Sequence, residues 1–315
     1  MRDDAIDIVV SEVGPRDGLQ SVKQTMPTAS KLAWIGALHA AGLREIEVAS
    51  FVPASLLPQM ADAAEVVTES TTIEGLTVLA LAPNLKGVQR AVQAGAHKVT
   101  LPVSASRQHS LANIRKTPED AVDEVRRVCA WRDELGAEQA FGIEVGISTA
   151  FGCTLEGCID EDWLLRLALS LAQAGVDSIG LSDTTGHATP TQVKRLFRLL
   201  RSELGDKAGA AHLHNTRGQG LANVVAALDA GVTTFDASQA GLGGCPYAPG
   251  ASGNIVTEDL VFMLEAMGLR TGIDIERLLA ARSHLAAGLP GEPLYGHVAQ
   301  AGLPNGFLYA DGRAP

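Results

Sequence analysis

The sequence predicts an α/β protein built as a (β/α)8 barrel of the TIM type, with additional C-terminal helices and an irregular tail. Three observations carry that expectation. Eight short apolar runs alternate with longer helical patterns up to residue 237. The pair Ala-Gly recurs before strands at 41–42, 94–95, 174–175 and 230–231, where glycine can take the left-handed position that ends a helix. Polar, chemistry-bearing residues gather where the runs end, as they do at the C-terminal mouth of a barrel.

Taken in order, the strands are expected at 6–13, 45–50, 76–82, 98–103, 141–148, 178–182, 208–214 and 233–237. Helical spacing covers 28–41, 84–94, 118–135, 161–174, 189–204 and 218–230, and continues past the eighth strand over 258–267 and 275–287. Residues 289–315 are rich in Gly and Pro and read as irregular. The expected organisation is one barrel domain over 1–288 and a tail over 289–315, part of that domain or disordered. A doubly wound open sheet is the rival. It would need a phosphate-binding turn, and the glycine-rich GLGGC at 241–245 neither has G-x-G-x-x-G spacing nor opens a βαβ unit.

A length of 315 residues suits one such barrel, and 46 % hydrophobic residues suffice for a well-buried core. The net charge of −11 repels phosphate backbones, so no nucleic-acid partner is expected. Nothing approaches the run of about 18 apolar residues that spans a membrane. The start MRDDAIDIVV has neither secretory nor transit-peptide character, so a cytoplasmic location is expected. Four cysteines, at 129, 153, 158 and 245, do not make a disulfide framework in a chain this long. Cys129 lies in a helical pattern and reads as packing, and Cys153-x4-Cys158 lacks the second pair of a zinc site.

The first strand ends in VGPRDGLQ (13–20), which sets Arg16 beside Asp17. In AHLH (211–214), His212 and His214 are two residues apart and share one face of a strand. Two such imidazoles can hold a metal in cis, and the same spacing suits two histidines that only hydrogen-bond in a polar interior. Asp17 adds a hard oxygen, and a mixed His/carboxylate set with open positions suits Mg2+, Mn2+ or Fe2+ better than structural zinc. Neighbours on an extended segment point apart, so Arg16 is expected to face another part of a ligand when Asp17 faces the ion. A salt bridge capping the barrel is the alternative for this pair. Glu47 in strand two, Asp183 at the end of strand six, and Asp236 and Ser238 in strand eight complete the polar mouth. Cys245 stands at the tip of a glycine-rich loop, either an incidental thiol on a connector or a proton donor on a lid.

Seven motifs then resemble one family in order along the chain. They are VGPRDGLQ, IEVASFV (46–52), PNLKG (83–87), AFGC (150–153), LSDTTG (181–186), HLHNTRGQGLAN (212–223) and GLGGCPYAPGASGN (241–254). The chain resembles the 3-hydroxy-3-methylglutaryl-CoA lyases, a family of metallolyase TIM barrels, over roughly residues 8–288. The resemblance implies a divalent cation, Mg2+ or Mn2+, held by Asp17, His212, His214 and Asn254. Spacing alone does not single out Asn254. It further implies that Arg16 polarises the thioester oxygen, that Cys245 is the catalytic thiol, and that Glu47 and Asp183 contribute to catalysis. Gln20, Arg217 and Glu258 join Arg16 and Glu47 as expected substrate contacts. The implied reaction is retro-Claisen cleavage of an acyl-CoA to acetyl-CoA and a keto acid, with the base open between Asp17, Asp183 and a histidine. The implied assembly is a homodimer.

The chain departs from the family pattern at Asn215 and Arg217, where the lyases carry Asp and Tyr. It departs again at Ser182, in place of a glycine, and at Gly146, in place of a tyrosine. These changes point to an altered acyl substrate, with Arg217 suited to a further anionic group. Claisen-condensing synthases share the barrel and metal but lack the Gly-Gly-Cys-Pro loop and usually add a regulatory domain, for which roughly 60 residues remain. A pyruvate-type aldolase would not use CoA, and a non-catalytic metal-binding barrel would not require Arg16 and Cys245. A Schiff-base aldolase would have to use Lys98, at the wrong end of strand four.

Overall fold

The computed structural model describes residues 6–136, 140–243 and 253–315. Eight parallel strands close into a barrel in sequence order, β1 (Val9–Glu12), β2 (Glu45–Ser50), β3 (Thr77–Leu81), β4 (Lys98–Ser104), β5 (Gly142–Ser148), β6 (Ser178–Ser182), β7 (Ala208–His212) and β8 (Thr234–Ala237). Pairing of β1 with both β2 and β8 completes the ring. The outer layer contains α1 (Thr28–Ala40), α2 (Ala63–Ser70), α3 (Leu85–Gln93), α4 (Arg107–Ile114), α5 (Pro118–Leu135), α6 (Glu161–Ala174), α7 (Pro190–Leu204) and α8 (Gly220–Leu228). After β8 come α9 (Thr257–Ala266), α10 (Ile275–Gly288) and α11 (His297–Ala301).

Local chemistry sets several helix ends. Thr117 and Asp120 form a reciprocal capping box at the start of α5, with Pro118 in its first turn. Gly175 closes α6 at φ 102°. Gly42 follows α1 at φ 113°, and a Cβ there would stand 2.3 Å from the Gly272 carbonyl oxygen, so only glycine fits.

The apolar core lies between the strands and the helices. Along β5, Ile143, Val145 and Ile147 are buried, whereas the alternate residues Gly142, Glu144, Gly146 and Ser148 remain partly accessible. The inward face is therefore the more open one. Trp34, Leu38, Phe197 and Phe235 belong to the buried core. At the start of β4, Lys98 bonds Glu45 at 2.7 Å and Glu144 at 3.0 Å. This lysine serves as an ion-paired residue at the far end of the barrel from the mouth.

The tail is more regular than its composition predicts, because α11 lies within it. Asp259 on α9 accepts from the N–H groups of His297 and Val298, and the Tyr309 hydroxyl accepts from Ile275 N–H. Glu265 accepts from Ala310 N–H. These bonds tie the tail, α11 included, to α9 and α10. Among the described residues, no helix is long and apolar enough to cross a membrane.

Candidate active site

The segment after β1 is not extended. Gly14–Gly18 forms a π-helical turn in which the N–H groups of Arg16, Asp17 and Gly18 all return to the Val13 carbonyl, at 3.1, 2.7 and 3.3 Å. The expectation that Arg16 and Asp17 point apart is therefore corrected. The tight turn brings them together, with Arg16 Nη1 2.6 Å from Asp17 Oδ1. The guanidinium also bonds Glu47 on β2, and Gln20 Nε2 donates to Asp17 Oδ1 at 2.8 Å. Arg16, Asp17 and Glu47 are all buried.

On the other side of the mouth, β7 ends at His212, and Leu213 turns into the core. His214 lies one step beyond and makes a β-bridge to Asn254. The two imidazoles share a face, as their spacing predicts, with the Nε2 atoms 3.2 Å apart. Asp17, His212 and His214 each present one ligand atom, all within 4.8 Å of one another. Asn254 Nδ2 donates to Asp17 Oδ2 at 2.8 Å, while Asn254 Oδ1 and His214 Nδ1 are buried without a partner among the described residues. One carboxylate, two imidazoles and an unsatisfied amide oxygen form a donor set that suits a divalent cation.

The electrostatics fit that use. Burial would raise the Asp17 carboxyl, but Arg16, both imidazoles and Asn254 hold it down at about 2, so it is ionised. Burial and the neighbouring His212 push His214 down to about 4, which leaves it a neutral ligand. Burial opposes charge on His212 as well, but the hydrogen bond it donates to Asp236 and the negative charges of Asp236 and Asp17 outweigh that and shift the imidazole upward. His212 Nδ1 stands 3.0 Å from Asp236 Oδ2. That contact keeps the Nδ1 proton and aims Nε2 at the site. The cross-strand register pairs His212 with Asp236 directly. The sequence places Asp236 at the mouth without a role, and the alternation along the strand FDA is the signal available there.

Asp183 follows β6. Its Oδ1 accepts from His187 and Ala188 N–H, at 2.7 and 3.0 Å, and its Oδ2 has no partner among the described residues. Burial raises its carboxyl to about 6. Arg217 bonds the Thr185 and Gly186 carbonyls at 3.1 and 2.6 Å, so it is anchored on the loop beside Asp183. Asn215 Oδ1 accepts from Gly220 N–H and braces the start of α8.

The Glu258 carboxylate takes Ala240 N–H and the Arg282 guanidinium, and among the described residues none of its hydrogen bonds or ion pairs is with the Asp17–imidazole group. The start of α9 turns it toward the bend at 239–241, next to Glu12, which accepts from Gly14 N–H, Gln239 N–H and the Thr257 hydroxyl. Cys245 lies outside the described residues. Cys153 is buried and Cys158 exposed, and Cys129 is buried packing with its thiol raised to about 11 by burial.

Fold and site together define a TIM-barrel enzyme class whose candidate centre is a carboxylate and two imidazoles at the strand ends. Residues 7–285 match the HMGL-like family model, and the chain belongs to that family. It is 38 % identical over 288 residues to the hydroxymethylglutaryl-CoA lyase YngG of Bacillus subtilis, covering 91 % of this chain and 94 % of the relative. It is 39 % identical over 276 residues to a 3-hydroxy-3-isohexenylglutaryl-CoA/hydroxymethylglutaryl-CoA lyase of Pseudomonas aeruginosa, covering 88 % and 91 %. An HMG-CoA lyase structure from Acinetobacter baumannii, in complex with coenzyme A and 3-methylmalate, superposes with a TM-score of 0.89 at 40 % identity, covering 98 % of this chain and 99 % of that one.

Proposed function

We propose that this chain is a divalent-cation-dependent lyase that cleaves 3-hydroxy-3-methylglutaryl-CoA to acetyl-CoA and acetoacetate. The observation that carries the reading is the convergence of Asp17, His212 and His214 within 4.8 Å, beside a buried arginine. The relatives named above support the substrate. Asp17, His212 and His214, with Asn254 Oδ1, would hold Mg2+ or Mn2+. The bound cation supplies Lewis acidity, which lowers the pKa of a substrate hydroxyl and polarises its oxygens.

The chain's own groups divide the remaining work. Of the candidate bases, Asp17 and both imidazoles would be taken up as cation ligands, whereas Asp183, with Oδ2 unpartnered among the described residues and its carboxyl raised to about 6 by burial, suits general-base chemistry near neutrality. Asp183 Oδ2 takes the proton of the tertiary hydroxyl. The oxygen's electrons then form the ketone as the bond from C3 to the thioester methylene breaks, which leaves acetoacetate and the enolate of acetyl-CoA. Arg16, held by Glu47 and Asp17, presents fixed positive charge to the enolate oxygen. Cys245 is the expected donor of the proton that completes the methyl group of acetyl-CoA. A homodimer belongs to the same reading and rests on the motif resemblance, and a cytoplasmic location is part of that reading too.

The test is purified protein with Mg2+ or Mn2+ and hydroxymethylglutaryl-CoA. Acetyl-CoA and acetoacetate should appear one for one, chelation should stop the reaction, and Cys245→Ser should remove most of the rate while Mn2+ affinity is kept. A Mn2+-loaded protein that releases no acetoacetate overturns the proposal.

A further inference from the structure

Three non-glycine residues among the described ones take a positive φ: Arg115 at 57°, Thr149 at 58° and Ala240 at 58°. Thr149 stands apart because it is β-branched, and a branched Cβ in the left-handed region crowds its own backbone. It is fully buried and follows the last residue of β5, at the barrel mouth. Strain of this kind persists only where the surroundings impose it, and it gathers at functional sites.

The surroundings that impose it are polar. The Thr149 hydroxyl donates to the Ser148 carbonyl at 2.6 Å and accepts from Ser106 N–H at 3.1 Å. It also meets the Ser104 hydroxyl at 2.9 Å. A hydroxyl has one proton, so Ser104 is the donor in that contact and itself accepts from His109 Nδ1–H, at 3.0 Å. Ser104, Ser106 and His109 are buried as well. This network locks the turn.

The turn acts on β6. Along a continuing strand, successive N–H groups point to opposite sides, whereas a left-handed residue lets them converge. Thr149 N–H donates to Thr184 Oγ1 at 2.8 Å, and Ala150 N–H donates to the Ser182 carbonyl at 3.2 Å. Those two partners flank Asp183. From the opposite side, Asp183 N–H donates to the His212 carbonyl at 2.8 Å. The backbone at Asp183 is therefore held on both sides, while Oδ2 has no partner among the described residues.

We propose that Thr149 is a positioning residue for the cleavage reaction: its strained turn, locked by its own hydroxyl, brackets Asp183 and fixes the carboxyl group that takes the substrate proton. Asp183 is the base in the reading above, and the role of Thr149 rests on that reading.

The test is steady-state cleavage of hydroxymethylglutaryl-CoA by the Mg2+-loaded enzyme, with Mn2+ affinity measured alongside. Thr149→Val removes the lock, and Thr184→Val removes the acceptor of the Thr149 N–H. Each should lower kcat by on the order of 10- to 100-fold and leave KM and Mn2+ affinity unchanged, because a small displacement of a reacting group is costly. Thr149→Ser keeps the hydroxyl and should keep the parent kcat. The two valines together should lower kcat no further than the stronger of them alone, because both break one link. A folded Thr149→Val enzyme at the parent kcat would overturn the proposal. So would losses that multiply in the double variant, or a serine variant that falls as far as the valine. Should Thr149→Val not fold, Thr184→Val decides alone, since it leaves the buried hydroxyl network in place. Asp183→Asn separates the two readings. The parent kcat in Asp183→Asn would overturn the base assignment, whereas an inactive Asp183→Asn beside a fully active Thr184→Val would overturn the positioning role alone.

Discussion

Glu12 and Asp17 stand five residues apart around one strand end, both buried, yet their carboxyl groups sit at about 8 and about 2. Burial is the largest influence on each and pushes both upward. The difference is their company. Asp17 meets the Arg16 guanidinium at 2.6 Å and faces two imidazoles. Glu12 meets only neutral donors, from Gly14, Gln239 and Thr257, and its charged neighbour is another acid, Glu258. Depth therefore does not separate a protonated carboxyl group from an ionised one in this barrel. The sign of the neighbouring charges does, and the π-turn between the two residues keeps those neighbourhoods apart.

The sharpest way to break the comparison is Asp17→Asn. Loss of the one acid among the clustered ligands should weaken Mn2+ binding by more than about 100-fold by calorimetry, and lower kcat/KM by on the order of 10³. Unchanged Mn2+ affinity would show that the imidazoles serve some other end. A smaller effect is expected from Asp236→Asn, which leaves every proposed ligand in place and removes only the partner that orients His212. Mn2+ affinity should fall about 10–100-fold, and the His212 imidazole should titrate lower than in the parent by NMR. A His212 titration that does not move would refute the positioning role.

The smallest effect belongs to Glu12. Its folded-state pKa is raised from 4.5 to about 8, so the stability associated with it is complete below 4.5 and is lost as pH rises through 8. Glu12→Gln keeps an oxygen for the two backbone donors and an amide for the Thr257 hydroxyl. Between pH 6 and 9 the parent's stability should fall more steeply than the variant's, by on the order of 3 kcal/mol at pH 9 relative to pH 6, read as a steeper fall in melting temperature. Parallel curves would mean that Glu12 is ionised throughout.

Much of this was legible in the sequence. The apolar runs of the eight strands read directly, because both faces of a parallel barrel strand limit what can stand there. His212 and His214 were legible because a period of two is a local property. What escaped depends on other strands or on unusual hydrogen bonding. Asp236 gains its role from the β7–β8 register, which spacing within one strand does not encode. The turn at 14–18 depends on three N–H groups sharing one carbonyl. Helix α4 buries only His109 and Ser110 and so offers no apolar stripe to detect. Glu258 meets Arg282, a partner 24 residues away that local spacing does not encode.

The alternation along β5 has a consequence for divergence. Residues that hold the barrel to its helices point outward, and residues that meet a ligand point inward, so the two sets share a strand without sharing contacts. A mutation at an inward position such as Gly146 changes what fits in the lumen and leaves the scaffold's supporting surface untouched. Descendants of such a chain can explore new substrates by single inward steps while folding stays nearly constant.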